Sequence, residues 1–145
     1  MTRGEFANRV TKRLRAEVTL HTRRAWQAQM QAEGGSAAYN PFNTTLRMPG
    51  STDYNKLPNG VAVQNYVSAA QGIEATVKTL RENGHGYEKI RRLLIRNAPA
   101  TEIVEAIGES DWGTDSSLAL AVLGDIKHAR KPNTLAELEA KQIAS

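Results

Sequence analysis

The sequence predicts a mainly helical domain of several short helices, with an irregular region and a small hairpin inserted after the second helix. Three observations carry this expectation. Apolar residues recur at three- and four-residue spacing on both sides of the middle of the chain, which is the helical period. Between these segments, residues 34–62 hold four glycines, three prolines and many Asn, Ser and Thr, without lasting periodicity. A stretch of that length inside a compact domain is a functional loop region or conceals short strands. Finally, 145 residues suit one hydrophobic core and are too few for two comfortable ones.

Taken in order, Phe6, Val10 and Leu14 fall four apart within residues 4–16, giving an apolar helical stripe with bases around it. Thr19 or Thr22 is placed to cap a second helix that carries Ala25, Trp26 and Met30 and runs to Glu33. Gly34-Gly35 ends it, because glycine takes up the left-handed conformation that closes a helix. After the irregular region, Ser68 opens a helix in which Ala69, Ile73, Val77 and Leu80 share a face, and Asn83-Gly84 stops it. Tyr87, Ile90, Leu93 and Leu94 predict another short helix, and Thr101 to Ile107 the next, with Thr101 as its cap. Ser116 to His128 is apolar over Leu118, Leu120, Val122 and Leu123 and is expected to be the most buried helix. Residues 1–130 therefore form the expected domain. Lys131-Pro132-Asn133 reads as a linker, and Thr134-x-x-Glu137 as the capping box of a short terminal helix within residues 131–145.

Composition removes several chemistries. There is no cysteine, so disulfides, thiolate metal sites and cysteine nucleophiles are excluded. His21, His85 and His128 lie far apart without metal-ligand spacing, and there is no nucleophile elbow, phosphate loop or dinucleotide fingerprint. No metal and no cofactor are expected. No apolar run is long enough to span a bilayer, and the charged start lacks the apolar segment of a secretory signal. The expectation is a monomer made in the cytoplasm without a signal peptide, with no stable membrane insertion. The net charge of +4 is concentrated at the front: residues 1–30 hold seven Lys and Arg against Glu5 and Glu17. Such a front either marks a polyanionic partner (nucleic acid, an anionic membrane or cell wall with its acidic polymers) or is a solvated helix face.

What remains is carboxylate chemistry, and Glu33 stands out by position. Trp26, Met30 and Glu33 fall at i, i+4 and i+7, so they share one helical face. A carboxyl at a helix C-terminus beside apolar side chains is partly desolvated and faces the negative end of the helix dipole. Both effects raise its pKa, as a general acid working near neutral pH requires. The alternative is an exposed Glu in a last helical turn.

The order of residues around Glu33 resembles a family. Trp26…Glu33-Gly34-Gly35…Asn40-Pro41-Phe42-Asn43-Thr44-Thr45 is followed by Gly60-Val61…Gln64-Asn65-Tyr66, then Gly72…Ala75-Thr76…Leu80, and later Tyr87…Ile90…Leu94 and Ser110-Asp111-Trp112-Gly113-Thr114. Over roughly residues 5–115 this is similar to phage-encoded lysozyme-like wall hydrolases and, more distantly, to soluble lytic transglycosylases and goose-type lysozymes. The resemblance implies a lysozyme-like fold and cleavage of peptidoglycan glycan strands, at the bacterial wall after release or as part of a virion. It makes Glu33 the catalytic acid, with Asn40 and Pro41 shaping the loop beside it. Gln64 takes the place of the cleft glutamine, and Tyr66 that of a sugar-contacting aromatic. The run Val61-Ala62-Val63 departs from the transglycosylases' Gly-Leu-Met-Gln.

A second carboxylate would act as nucleophile at about 5–5.5 Å or as base for water at about 6.5–9.5 Å, and Asp53 and Asp111 are the candidates. A lytic transglycosylase needs none, because the sugar's own hydroxyl attacks. Tyr39, Phe42, Tyr54, Tyr66 and Trp112 could stack on sugars or anchor the core and loops. Asn43, Thr44 and Thr45 could bond N-acetyl groups or hold turns. Two rival readings exist. Residues 87–110 also resemble part of a helix-turn-helix, which with the basic front would make a DNA-binding protein. Against this, the helix meant for the groove carries Glu102, Glu105 and Glu109 and no base, so nucleic acid is disfavoured as a partner. The other rival is a catalytically inactive lysozyme-like module of a virion.

Overall fold

The computed structural model describes residues 1–56, 58–112 and 116–128. The expected linker and terminal helix at 131–145, and Gly113 and Thr114, lie outside them. The described chain is mainly helical, with α1 (Arg3–Arg13), α2 (Leu20–Glu33), β1 (Thr52–Lys56), β2 (Ala62–Asn65), α3 (Ala69–Arg81), α4 (Tyr87–Ile95), α5 (Ala100–Glu109) and α6 (Ser117–His128).

Local chemistry sets the boundaries. Thr2 caps α1 by accepting from the Glu5 amide, and the chain leaves the helix through Arg15, which takes a left-handed φ of 66°. Of the two threonines before α2, Thr19 is the cap and Thr22 its partner three residues on. Each side chain accepts from the other's backbone amide, a reciprocal capping box. Gly34 closes α2 in the left-handed conformation, with its N–H on the Met30 carbonyl. Ser68, the expected first residue of the helix, caps α3 by accepting from the Gln71 amide. Thr101 does not cap α5: the helix starts one residue earlier, and Pro99 at the cap position presets the backbone without a side-chain bond.

The central helix is α2, which packs against α1, α5 and α6. It takes the role expected of the segment 116–128. Among the described side chains of α6, Ala119 and Leu123 are buried, while Leu118 is exposed and Leu120 and Val122 are half-buried against the core. A 12-residue helix packed on one side buries one stripe, however apolar its sequence. Aromatic rings carry the core from α1 toward the loop region. Phe42 packs on Phe6, Trp26 and Trp112, with centroids 5.9, 5.0 and 5.6 Å away. Trp26 donates its indole N–H to Thr11 Oγ1 at 2.9 Å, so its one polar atom is satisfied inside the core.

The irregular region resolves into a loop over residues 34–51 and a two-stranded antiparallel hairpin. Asn40 is its internal staple. It is 1% exposed; its amide donates to the carbonyls of Thr44 and Gln64, and its oxygen accepts from the Thr44 N–H, all at 2.8 Å. An alanine here removes all three bonds in a dry site, and the Thr44 carbonyl keeps only the Gln64 N–H at 3.1 Å. Asn40→Ala is expected to cost about 3 kcal/mol, near one for each lost bond. Urea unfolding at constant slope checks this, and a midpoint unchanged from the parent protein contradicts it.

Candidate active site

A cleft of about 670 Å³ runs between the end of α2, the loop, the hairpin and the segments around α4. Glu33 and Gly34 enter it from α2, Asn43 and Thr45 from the loop, and Val61 and Val63 from the β2 side. Tyr54 and Asn55 come from β1, Glu82, His85 and Tyr87 from the α3–α4 junction, and Asp111 and Trp112 from beyond α5. Three aromatic rings, several amides and hydroxyls and three carboxyls thus face one groove. No Lys or Arg is among the described residues lining it.

Glu33 sits where the C-terminus of α2 meets the cleft. Its carboxyl is half-buried, and burial raises its pKa above the ordinary carboxylate value. The apolar walls differ from those expected. Trp26 and Met30 share its helix face but are themselves buried in the core. The groups that share a small cavity with Glu33 are Pro41, Phe42 and Trp112, and these rings rest on Trp26 one layer further in. Gln29, one turn earlier on α2, donates from Nε2 to Glu33 Oε1 at 3.2 Å.

Of the residues singled out in the sequence, Glu33, Asn43, Thr45, Tyr54, Asp111 and Trp112 reach the cleft. Asn40, Thr44, Gln64, Tyr66 and Asp53 do not line it. Thr44 is fully buried, with its hydroxyl 3.1 Å from that of Thr76. Tyr66 is buried and donates to the Leu46 carbonyl at 2.6 Å. Gln64 fails as a cleft residue for a reason of parity. Successive strand residues face opposite ways, and Val61 and Val63 take the cleft side. Gln64 therefore turns away, 1% exposed, donating to Asp53 Oδ1 and accepting from Ser51 Oγ, each at 2.8 Å. Asp53, its cross-strand partner, goes with it and also lies 3.6 Å from Arg47. A β-bulge between Asp53 and Asn55 adds Tyr54 to one strand only, and that extra residue brings Tyr54 to the cleft. Asn40, Thr44, Gln64 and Tyr66, all buried, build the wall on which the cleft residues stand.

On the far wall, sequence reasoning named Asp111 but missed His85, Glu82 and Tyr87 beside it. His85 Nδ1 lies 2.8 Å from Asp111 Oδ2, its Nε2 is 3.5 Å from Glu82, and its ring stacks on Tyr87 at 5.4 Å. The Asp111 N–H also donates to the His85 carbonyl at 2.9 Å. Chain separation hid this pairing: Asp111 is 26 residues from His85 and only the packing of α4 on α5 joins them. The hydrogen bond to Asp111, then the negative charges of Asp111, Glu82 and Glu88, raise the His85 pKa above its ordinary 6.5. A raised folded value stabilises the fold fully below the ordinary value, and that contribution fades as pH rises through the raised one. Titration of the imidazole by NMR is expected to show this elevation, and Asp111→Asn to bring it back toward 6.5. An unchanged titration in the variant contradicts the pairing.

Among the described residues no group of His, Asp and Glu is arranged to hold a metal ion, and no helix is long and apolar enough to cross a membrane. Comparison of the chain with protein-family profiles, with curated proteins and with solved structures finds no match.

Proposed function

We propose that this chain is a glycan-cleaving enzyme of the bacterial cell wall, a lysozyme-like muramidase or lytic transglycosylase with Glu33 as its general acid. The observation that carries the reading is a half-buried carboxyl of raised pKa at the end of a helix, opening into a long groove lined by rings and amides. A carboxyl whose pKa is raised keeps its proton to higher pH than an ordinary carboxylate does, and can give it to a glycosidic oxygen. Tyr54 and Trp112 offer flat faces to sugar rings, and Asn43, Thr45, Asn55 and Asn59 offer donors and acceptors for hydroxyl and N-acetyl groups.

Of the two candidate partner carboxylates, Asp53 lies outside the cleft and Asp111 lines it, joined there by Glu82. Asp111 or Glu82 could hold a water or an oxocarbenium ion, and a transglycosylase reaction uses neither. Peptidoglycan strands are the substrate class this reading assigns, and the order of motifs around Glu33 fits an enzyme of phage origin. The DNA-binding alternative has a four-residue connection between α4 and α5 in its favour, but Glu102, Glu105 and Glu109 are exposed on α5. Phosphates meet carboxylates there.

Zymography on purified peptidoglycan tests the proposal. A clear zone at the position of the wild-type protein is expected, and an intact gel at enzyme loadings that suffice for a known muramidase contradicts it.

A further inference from the structure

Gln29 lies one helical turn before Glu33 and is 8% exposed. Burying so long a polar side chain costs rotamer entropy and hydration, and Gln29 is placed where its amide meets one group, the Glu33 carboxyl. Among the described residues it is the hydrogen-bond donor to that carboxyl. The two side chains share a cavity of about 20 Å³ with Pro41, Phe42, Asn43 and Trp112, so the contact is part-buried at the inner edge of the cleft. A solvated i, i+4 pair on an outer helix face has none of these features.

We propose that Gln29 is the positioning residue of Glu33: by donating to Oε1 it fixes the carboxyl's rotamer and leaves Oε2 to carry the transferable proton. The inference rests on the reading of Glu33 as general acid. In a protonated carboxyl, one oxygen only accepts and the other bears the hydrogen. An amide N–H held against Oε1 therefore places the hydrogen on Oε2. After the proton has left for the glycosidic oxygen, the same N–H remains bonded to the carboxylate and stabilises its charge. Gln29 thus works against burial, keeping the acid strong enough to give its proton up.

The test compares the wild-type chain with Gln29→Met, close in volume but lacking the donor, and with Gln29→Glu, which places a like charge beside the carboxyl. Two readouts are taken: the 13C NMR titration of the Glu33 side chain, which needs no substrate, and the pH profile of glycan cleavage. The other titratable groups that share the cleft with Glu33 are Tyr54, Glu82, His85, Tyr87 and Asp111; Arg3 of α1 bonds the Gly35 carbonyl outside it, and all are common to the three proteins. Gln29→Met is expected to raise the Glu33 titration by about half a unit to one unit, and Gln29→Glu by more. The alkaline limb of the activity profile moves up in step, while kcat falls about tenfold at unchanged KM. A Glu33 titration that is the same in wild type and folded Gln29→Met overturns the proposal. If Gln29→Met does not fold, Gln29→Asn takes its place, since withdrawing the amide by one methylene breaks the same bond. Full activity in Glu33→Gln would sink the general-acid reading alone, because the NMR titration still reports whether Gln29 governs the carboxyl.

Discussion

Glu33→Gln is expected to lower peptidoglycan cleavage by about three orders of magnitude, within the range for loss of a positioned general acid. The substitution keeps shape, and the new side-chain oxygen still accepts from Gln29, so only the transferable proton is removed. The same variant carries a stability signature. Burial holds the Glu33 pKa above its ordinary 4.5, so between these two values the folded chain binds more protons than the unfolded one. Stability therefore falls as pH rises through that window, and above it the ionised carboxyl weighs against the fold. The glutamine of the variant has no charge to bury. Thermal melts are expected to show the variant at least as stable as the parent at about pH 7, with the difference gone below the ordinary carboxylate value. Full activity in the variant contradicts the catalytic assignment, and a lower Tm near neutral pH contradicts the buried-carboxyl account.

The second large effect is expected at Gly72, in the first turn of α3. An alanine normally stabilises a helix by about 1 kcal/mol over glycine. Here its Cβ would lie 2.0 Å from the Tyr39 backbone oxygen and 3.1 Å from a ring carbon of Phe6. The first of these is a peptide group that cannot swing aside. Tyr39 already sits at a left-handed φ of 52°, and Ala38 beside it is tied to β2 and its end through bonds with Asn65 and Tyr66. Overpacking outweighs propensity, and Gly72→Ala is expected to cost about 2–3 kcal/mol, or roughly 6–10 °C in Tm. Activity is expected to fall with it, since the displaced loop carries Asn43 and Thr45 into the cleft. A Tm raised above that of the parent, as in an exposed helix, would show that this close approach is not what holds the loop.

Much of the fold was legible because its signals are local. The caps at Thr19 and Ser68 and the stop at Gly34 depend on neighbours within four residues, and the helical stripe from Phe6 to Leu14 on a single period. Glu33 was legible for the same reason, as a carboxyl at a helix end followed by two glycines. The remainder of the site was not local. Whether Gln64 or Val63 faces the cleft depends on strand parity, which a one-residue bulge at Tyr54 resets on the opposite strand. Asn40, Thr44 and Tyr66 are polar residues in a Gly- and Pro-rich stretch, a composition shared by ligand-binding loops and by loops that must satisfy their own backbone. Here they do the second, and their neighbours Asn43 and Thr45 reach the cleft. The His85–Asp111 wall needed the packing of α4 on α5, which no spacing along the chain records.

The central claim, that this protein breaks glycan strands, is tested most directly by mass spectrometry of purified sacculi digested with the wild-type chain. Soluble muropeptides with new saccharide ends are predicted: reducing ends if water attacks, 1,6-anhydro ends if the sugar's own hydroxyl does. Sacculi that release no such fragments, or fragments cut only at amide or peptide bonds, would contradict it.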